Sequence, residues 1–309
     1  MKSILKILLI IILIIILIFI INYLRINITY MINKNDFKNS FTIYGNNNNY
    51  VPQGLTYSDK YNIALQTSYN SKHKVSMLYV IDFKTNKLIK ELKLKEIDNS
   101  NNTNHVGGIA TDNNKVWITN DFEINEYNLD TILNTDNDYI QSIKNNKLPN
   151  RGDFCTYKDG YLWIGDFFLN PFYKVKDNNP LLMKYNTKEE INYNKPELII
   201  SLPKMVQGMV ITDDNKFIFT ESFTYLINSN LSIYDNVLKK EKSTYKLKNN
   251  NIPYYKFEKK DLIKNIKLPP MAEGLFIKNN NLYILFESSS DTYKPAIPKI
   301  KKVIKYNIK

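Results

Sequence analysis

The chain opens with an unbroken apolar run, Ile7 to Ile21 (ILLIIILIIILIFII), with Lys2 and Lys6 before it and Asn22, Tyr23, Leu24 and Arg25 after it. With Ile4, Leu5 and the Tyr23–Leu24 edge, the stretch approaches the ~20 residues a membrane helix needs. A basic start before an apolar core is the layout of a secretory signal, but no small-residue cleavage site follows. The pattern predicts an uncleaved signal-anchor over 1–25, a linker over 26–40 and an extracytoplasmic domain over 41–309, in a single-pass protein of the cell membrane. A cleaved signal is the alternative. A buried soluble helix would need a polar face, which this run lacks.

Beyond the anchor the pattern shortens to strand length and repeats. Polar tracts at Asn46–Asn49 and Asn99–Asn104 read as loops. Between such tracts one unit recurs five times. It begins at Gln53-Gly54-Leu55, Gly107-Gly108-Ile109, Gly152-Asp153-Phe154, Gln207-Gly208-Met209 and Glu273-Gly274-Leu275. A polar turn follows, then a second strand: NIALQ (62–66), VWIT (116–119), LWIG (162–165), FIFT (217–220) and YILF (283–286). Asn, Asp and Gly supply the positive φ such turns require.

Further strands complete most units. Unit one adds MLYVIDF (77–83) and KLIKELKL (87–94), unit three LLMKYN (181–186) and ELIISLP (197–203), and unit four LSIYD (231–235) and LIKNIKL (262–268). Unit two adds INEYNLD (124–130) and then a poorer strand or short helix within 131–148. Unit five has only KVIKYNI (302–308), so FTIYG (41–45) is expected to supply its outer strand and close a ring. Four-stranded antiparallel units closed in this way predict an all-β fold, a five-bladed β-propeller carrying an N-terminal transmembrane helix.

The repeat register singles out chemistry. Thirteen residues beyond Gly54, Gly108, Asp153, Gly208 and Gly274 stand Thr67, Asp121, Asp166, Glu221 and Glu287. In a propeller, the starts of innermost strands and the ends of second strands share one face near the axis. Gln53, His105, Asp153, Gln207 and Glu273 are therefore expected to ring a channel mouth, with Asp121, Asp166, Glu221 and Glu287 beside them. Six converging carboxylates need a cation, a basic ligand or protonation. The alternative is that they bond blade-to-blade backbone amides.

Carboxylates and amide carbonyls suit calcium or magnesium, with Glu273 and Asp153 as candidate ligands. Glu273 and Glu221 are the candidate general acid/base groups, since partial burial raises a carboxyl into a useful range. Arg151 either holds an anionic ligand group or pairs with a neighbouring carboxylate. His105 is weighed mainly as a structural hydrogen-bonding group, and His73 lies in a polar loop. Trp117 and Trp163 occupy equivalent strand positions and are expected to pack between blades. Segments 167–180 and 288–300 are candidate lids, with Phe168, Phe172 and Tyr293 as possible covers of the mouth. Residues 239–260 are a candidate loop across one face.

Composition adjusts this picture. The 309 residues include 42 Lys+Arg against 30 Asp+Glu, a net charge of +12. Only Arg25 and Arg151 are arginine, and no base-reading motif accompanies the lysines, so nucleic acid is not expected as a partner. The lone Cys155 excludes an internal disulfide framework and a Cys-based zinc site. No G-x-S-x-G elbow, phosphate loop or H-E-x-x-H is present.

The Q-G-L, G-G-I, Q-G-M and E-G-L starts resemble exported bacterial propellers of the broad gluconolactonase/regucalcin, NHL and YncE-like grouping, over about residues 41–309. In lactonase-type propellers a divalent cation sits on the axis, held by Glu, Asn and Asp at strand starts. The resemblance implies Glu273 and Asp153 for that role here. Val51-Pro52-Gln53-Gly54-Leu55 also resembles the Q-G-L start of plant-type glutaminyl cyclases, which are five-bladed. Two functions follow as expectations. One is an anchored binding propeller taking a divalent cation or a cationic or polar small molecule or peptide at the mouth (Gln53, His105, Arg151, Gln207, Asp121, Asp166, Glu287). The other is a lactonase-like hydrolase or glutaminyl-cyclase-like acyltransferase at the same place. A scaffold for another envelope protein is a third possibility.

Overall fold

The structure is a computed structural model that describes residues 2–33, 36–167 and 180–308. A helix, α1 (Lys2–Asn33), is followed by β1 (Phe37–Thr42). Blade one is β2 (Tyr50–Ser58), β3 (Ile63–Asn70), β4 (Met77–Asp82) and β5 (Lys87–Lys95). Blade two begins with β6 (Gly108–Thr111), β7 (Lys115–Asn120) and β8 (Glu123–Asn128). After α2 (Leu129–Asn134), β9 (Tyr139–Gln141) pairs in parallel with β5 of blade one, and β10 (Lys144–Lys147) returns to edge blade two. Blade three is β11 (Phe154–Lys158), β12 (Tyr161–Gly165), β13 (Leu181–Asn186) and β14 (Leu198–Ser201). Blade four starts with β15 (Val206–Ile211), β16 (Phe217–Glu221) and β17 (Ser229–Tyr234). The hairpin β18 (Ser243–Leu247) and β19 (Asn250–Lys256) then crosses to pair in parallel with β14 before β20 (Leu262–Leu268) edges blade four. Blade five is β21 (Ala272–Lys278), β22 (Asn281–Phe286) and β23 (Lys302–Asn307), closed by β1.

The chain is thus a five-bladed β-propeller whose first and last strands pair antiparallel, Phe37 opposite Tyr306. Closure removes the open edges that a linear array would leave for aggregation. The polar turns between strands take the left-handed conformation their residues favour: Asn62, Asn113, Asp159, Asn215, Asn279 and Asn280 all have positive φ. Unit two contains both a helix and an outer strand within 131–148. Residues 239–260 are not a free loop; most of them form the hairpin that extends blade three to six strands.

The N-terminal boundaries differ from the sequence pattern. Helix α1 continues past residue 25, and the closing strand starts at Phe37 rather than within 41–45. Packing explains both shifts. Ile26 is 4% exposed, and Phe37 packs its ring 5.7 Å from that of Tyr306. Hydropathy alone does not register such contacts. The stretch Ile4–Thr29 is long and apolar enough to cross a membrane.

Four apolar clusters fill the spaces between neighbouring blades. Trp117 of β7 stacks on Tyr157 of β11 at 5.9 Å, and Trp163 of β12 meets Phe217 of β16 edge-on at 5.8 Å. Both tryptophans therefore join adjacent blades, and each fully buried large side chain contributes about 1.5–3 kcal/mol. On the axis, glycines let the inner strands converge. A Cβ added to Gly274 would stand 2.5 Å from the Leu55 amide nitrogen, and one on Gly108 would meet the backbone of Phe154 and Cys155. The axial cavity between them is about 10 Å³, room for roughly one water.

Candidate functional site

Inner strands start, and second strands end, on one face of the ring. The residues singled out by the repeat register lie there in three separate groups. The register explains the separation. Gly108 pairs with Thr119, eleven residues on, whereas Gly208 pairs with Thr220, twelve on. Irregularities between Pro52 and Leu55, Val206 and Gly208, and Ala272 and Leu275 each slip the register by one residue in blades one, four and five, whereas the β6–β7 and β11–β12 pairings run without one. A constant spacing in sequence is therefore not a constant level in space.

The first group joins blades five and one. Glu273, 2% exposed at the start of β21, lies beside Glu287, 9% exposed just after β22. Their carboxyl groups are hydrogen-bonded, Glu273 donating to Glu287. Burial and the neighbouring Glu287 charge push the Glu273 carboxyl well above the usual range. Burial likewise pushes Glu287 up to about 8, against the stabilising bonds of Tyr293, Gln53 and Glu273. Two buried carboxylates this close cannot both ionise, so the pair keeps a proton at neutral pH. Gln53 donates its Nε2 to Glu287 Oε2 at 3.0 Å. The Tyr293 hydroxyl bonds Glu287 and is itself linked to Tyr69. Glu273 Oε1 is buried without a hydrogen-bond partner.

His105 connects this group to the second. Its ring lies 4.3 Å from that of Tyr69, and burial lowers its pKa, opposed by the charges of Asp153 and Asp121. The imidazole is therefore neutral at pH 7.

The second group lies between blades two and three. Arg151 reaches Asp153 Oδ1 through both Nη2 (2.8 Å) and Nε (3.1 Å), and Asp121 Oδ1 through Nη2 (2.9 Å). The Phe167 amide donates to the other Asp153 oxygen at 2.7 Å. Of its two sequence-level readings, Arg151 thus takes the ring-carboxylate pairing. Asp166 accepts from Asn150 Nδ2 at 3.3 Å and from the Leu181 amide at 3.4 Å, while burial and the Asp153 charge push it up to about 8.

Glu221 stands apart. Its partners are Ser232 and Asn230 on β17, with the Lys267 charge nearby, and burial raises its pKa. Gln207 borders the axial cavity. The structure therefore brings together Gln53, Glu273 and Glu287, and separately Asp121, Arg151 and Asp153, but leaves Glu221 with neither set.

Sequence reasoning did not single out Tyr69 or Asn150. Tyr69 stands two positions beyond Thr67 on β3, on the same face of the strand. That alternation was the available signal. Tyr293 lies in the 288–300 segment and rests on Glu287. Phe168 and Phe172, and most of the 167–180 insertion, lie outside the described residues.

These donors do not fit an axial divalent cation. Both Asp153 oxygens are occupied by Arg151 and the Phe167 amide, Glu273 is bonded to Glu287, and glycine backbone fills the axis. Among the described residues no three His, Cys, Asp or Glu side chains are grouped to hold a metal. A threonine column instead ties blades together: the Thr67 hydroxyl donates to the Val106 carbonyl (3.0 Å) and that of Thr220 to the Glu273 carbonyl (2.7 Å).

No protein-family model matches this chain, and no curated protein matches it in sequence. Solved structures similar in chain path include the three that follow. The Kuenenia stuttgartiensis hydrazine synthase matches at 11% identity and TM-score 0.39, over 75% of this chain and 55% of that one. This chain thus spans only about half of that protein's chain. The Myxococcus xanthus glutaminyl cyclase matches at 7% identity and TM-score 0.48, over 88% of this chain and 93% of that one. The PQQ-bound aldose sugar dehydrogenase of Streptomyces coelicolor matches at 12% identity and TM-score 0.48, over 87% and 96%. The five-bladed closure stands on the strand pairing itself.

Proposed function

We propose that this chain is a membrane-anchored propeller, held outside the cytoplasm, that binds a small polar or cationic ligand at the carboxyl pair of Glu273 and Glu287. One observation carries the reading. Glu273 Oε1 is buried with no donor, and leaving such a group unpaired costs about 1–3 kcal/mol. A ligand N–H or O–H that bonds it recovers that cost. Gln53, Tyr293 and Tyr69 give the ligand further polar partners, and His105 lies at the edge of the group. The basic start at Lys2 and Lys6 ahead of the apolar run, the layout of a signal-anchor, supports an extracytoplasmic propeller, while Arg25, Lys34 and Lys38 stand on the other side of the run.

The test is thermal melting with a panel of amines, guanidinium compounds, polyols and short peptides. A binder raises the melting temperature with its concentration. The same binder leaves Glu273→Gln unshifted. A panel without effect on the parent protein, or an equal shift in the variant, removes the reading.

The shared proton favours a second reading. A carboxyl that keeps its proton at neutral pH is a general acid, and its partner is a base once ionised. A lactonase-like hydrolase or glutaminyl-cyclase-like acyltransferase would use ionised Glu287 to take a proton from the attacking water or amine and Glu273 to protonate the departing lactone oxygen or ammonia. Glu221, remote from the pair, has no place in that exchange. Turnover of a lactone or a glutaminyl peptide that disappears in Glu273→Gln supports it.

A further inference from the structure

We propose that the face carrying the carboxyl pair lies against the bilayer that holds α1, with Leu226, Ile227, Phe223 and Ile297 entering the lipid interface. The inference rests on the membrane reading of α1, and the experiment below separates the two.

Strand direction supplies the geometry. Innermost strands start on the carboxyl face, so the outermost strands run towards it. Strand β20 ends there at Leu268, opposite Ser229. Strand β1 starts on the far face at Phe37, and α1 ends at Asn33, close before it. Yet Asn22 donates its side-chain amide to the Leu226 carbonyl, in the β16–β17 connection on the carboxyl face. Residues 22–33 therefore descend the flank of blade four, packed along β20. Eleven steps of ~1.5 Å give ~16 Å, about the height of a blade strand. Everything before Asn22 projects beyond the carboxyl face.

That projecting part cannot stay in water. Ile4 to Ile21 are apolar apart from Lys6, with side chains 45–71% exposed on all sides. Eighteen residues at ~1.5 Å span ~27 Å, close to the hydrocarbon thickness of a bilayer. The lipid boundary then falls near Asn22–Arg25, the level of the loops around Leu226 and Ile297.

Those loops are apolar where they would meet lipid. Phe223 is 49% exposed, Leu226 37%, Ile227 38% and Ile297 43%. A cleft of about 360 Å³ between helix and loops is lined by Phe19, Tyr23, Tyr225, Leu226, Pro295 and Ile297. Tyr23 sits at the boundary, where aromatic rings concentrate. Lys204 and Lys294, both exposed on the same face, suit anionic headgroups. A ligand of the carboxyl pair would then arrive through the headgroup layer, which favours an amphipathic or lipid-linked molecule over a freely diffusing one.

The test uses full-length protein in vesicles of phosphatidylcholine and phosphatidylglycerol. Spin labels are placed by Leu226→Cys, Ile297→Cys, Asn279→Cys on the opposite face, and Ile14→Cys in the helix. Cys155 is buried with its thiol pushed up to about 12, so it contributes little background labelling. Labels at 226 and 297 are expected to be several-fold more accessible to lipid-soluble oxygen, relative to an aqueous nickel chelate, than the label at 279. Equal aqueous access at 226, 297 and 279, with Ile14→Cys in lipid, overturns the docking and leaves the anchor standing. Labels at 226 and 297 shielded from both reagents indicate a protein partner or a second copy and also overturn it. An aqueous label at Ile14→Cys removes the anchor and the docking together.

Discussion

Glu273 donates a hydrogen bond to Glu287 across the junction of the start of β21 and the end of β22. The pair is stable only while it holds a proton, because two adjacent buried charges repel. Its proton is therefore the property most open to measurement.

Glu273→Gln keeps the shape and a donor but removes the titrating group. The variant is expected to fold with at least parental stability at pH 7. Glu287 should keep a raised pKa, because burial rather than Glu273 raises it and the amide of Glu273→Gln can still donate to it. Carboxyl infrared bands followed against pH check this; an unchanged protonated-carboxyl band would refute the pairing.

Stability should fall as pH rises. Glu287 and Asp166 both titrate near 8 in the folded chain, above their ordinary range. The folded state thus binds more protons than the unfolded state between the ordinary carboxyl pKa and about 8, and stability declines over that window. Asp166→Asn is expected to flatten part of the slope and to raise the melting temperature above pH 8. Melting curves from pH 5 to 9 decide it; stability rising across that range would contradict both burial arguments.

Arg151→Met leaves Asp153 and Asp121 without their cation. Asp153 is buried but Arg151 is 46% exposed, so solvent softens the loss, and a cost of about 1–2 kcal/mol is expected. The Arg151 charge also lowers the His105 pKa, so its removal should raise it. Denaturant melts and the His105 proton resonances report the two effects separately. A His105 titration indifferent to the substitution would place Arg151 elsewhere.

Gly274→Ala puts a methyl group against the Leu55 amide and the Gln53 carbonyl on the axis. Backbone cannot yield as a side-chain tip does, so the substitution is expected to cost about 1–3 kcal/mol or more. Gly160→Ala, in an open surface turn with a φ of +84°, serves as a comparison in which strain acts without crowding. A neutral Gly274→Ala would mean the inner strands are less tightly packed.

Calcium should leave the melting temperature unchanged, because the Asp153 oxygens are already engaged and Glu273 keeps a proton. A concentration-dependent rise in the parent protein that is lost in Glu273→Gln would restore the cation reading.

The blades were legible because each is built locally. A strand, an Asn- or Asp-bearing turn and a second strand leave their period in a short stretch of sequence, as at Gly208 to Glu221. Ring closure was legible for the same reason, since KVIKYNI lacked an outer strand and an apolar segment near residue 41 was unassigned. The crossing of β9 to blade one and of β19 to blade three was not legible. Parallel pairing between outer edges depends on which blades become neighbours, and no local pattern records it.

The carboxyl column divides in the same way. Its residues were found from spacing, but Asp121, Asp153, Asp166, Glu221, Glu273 and Glu287 do not meet as one cluster. Small differences in register between blades, of the kind that separates Gly108–Thr119 from Gly208–Thr220, move each side chain by several ångströms.

By itself the sequence determined an apolar helix, five repeated strand units and the list of residues on one face of the ring. These depend on periodicity and on turn chemistry, which act over a few residues. Only the tertiary structure decided that Glu273 shares a proton with Glu287, that Arg151 is spent on Asp153 and Asp121, and that Leu226 and Ile297 stand beside the apolar helix α1. Each of those facts is a distance between segments far apart in the chain, and burial turns such distances into the charge states that chemistry uses.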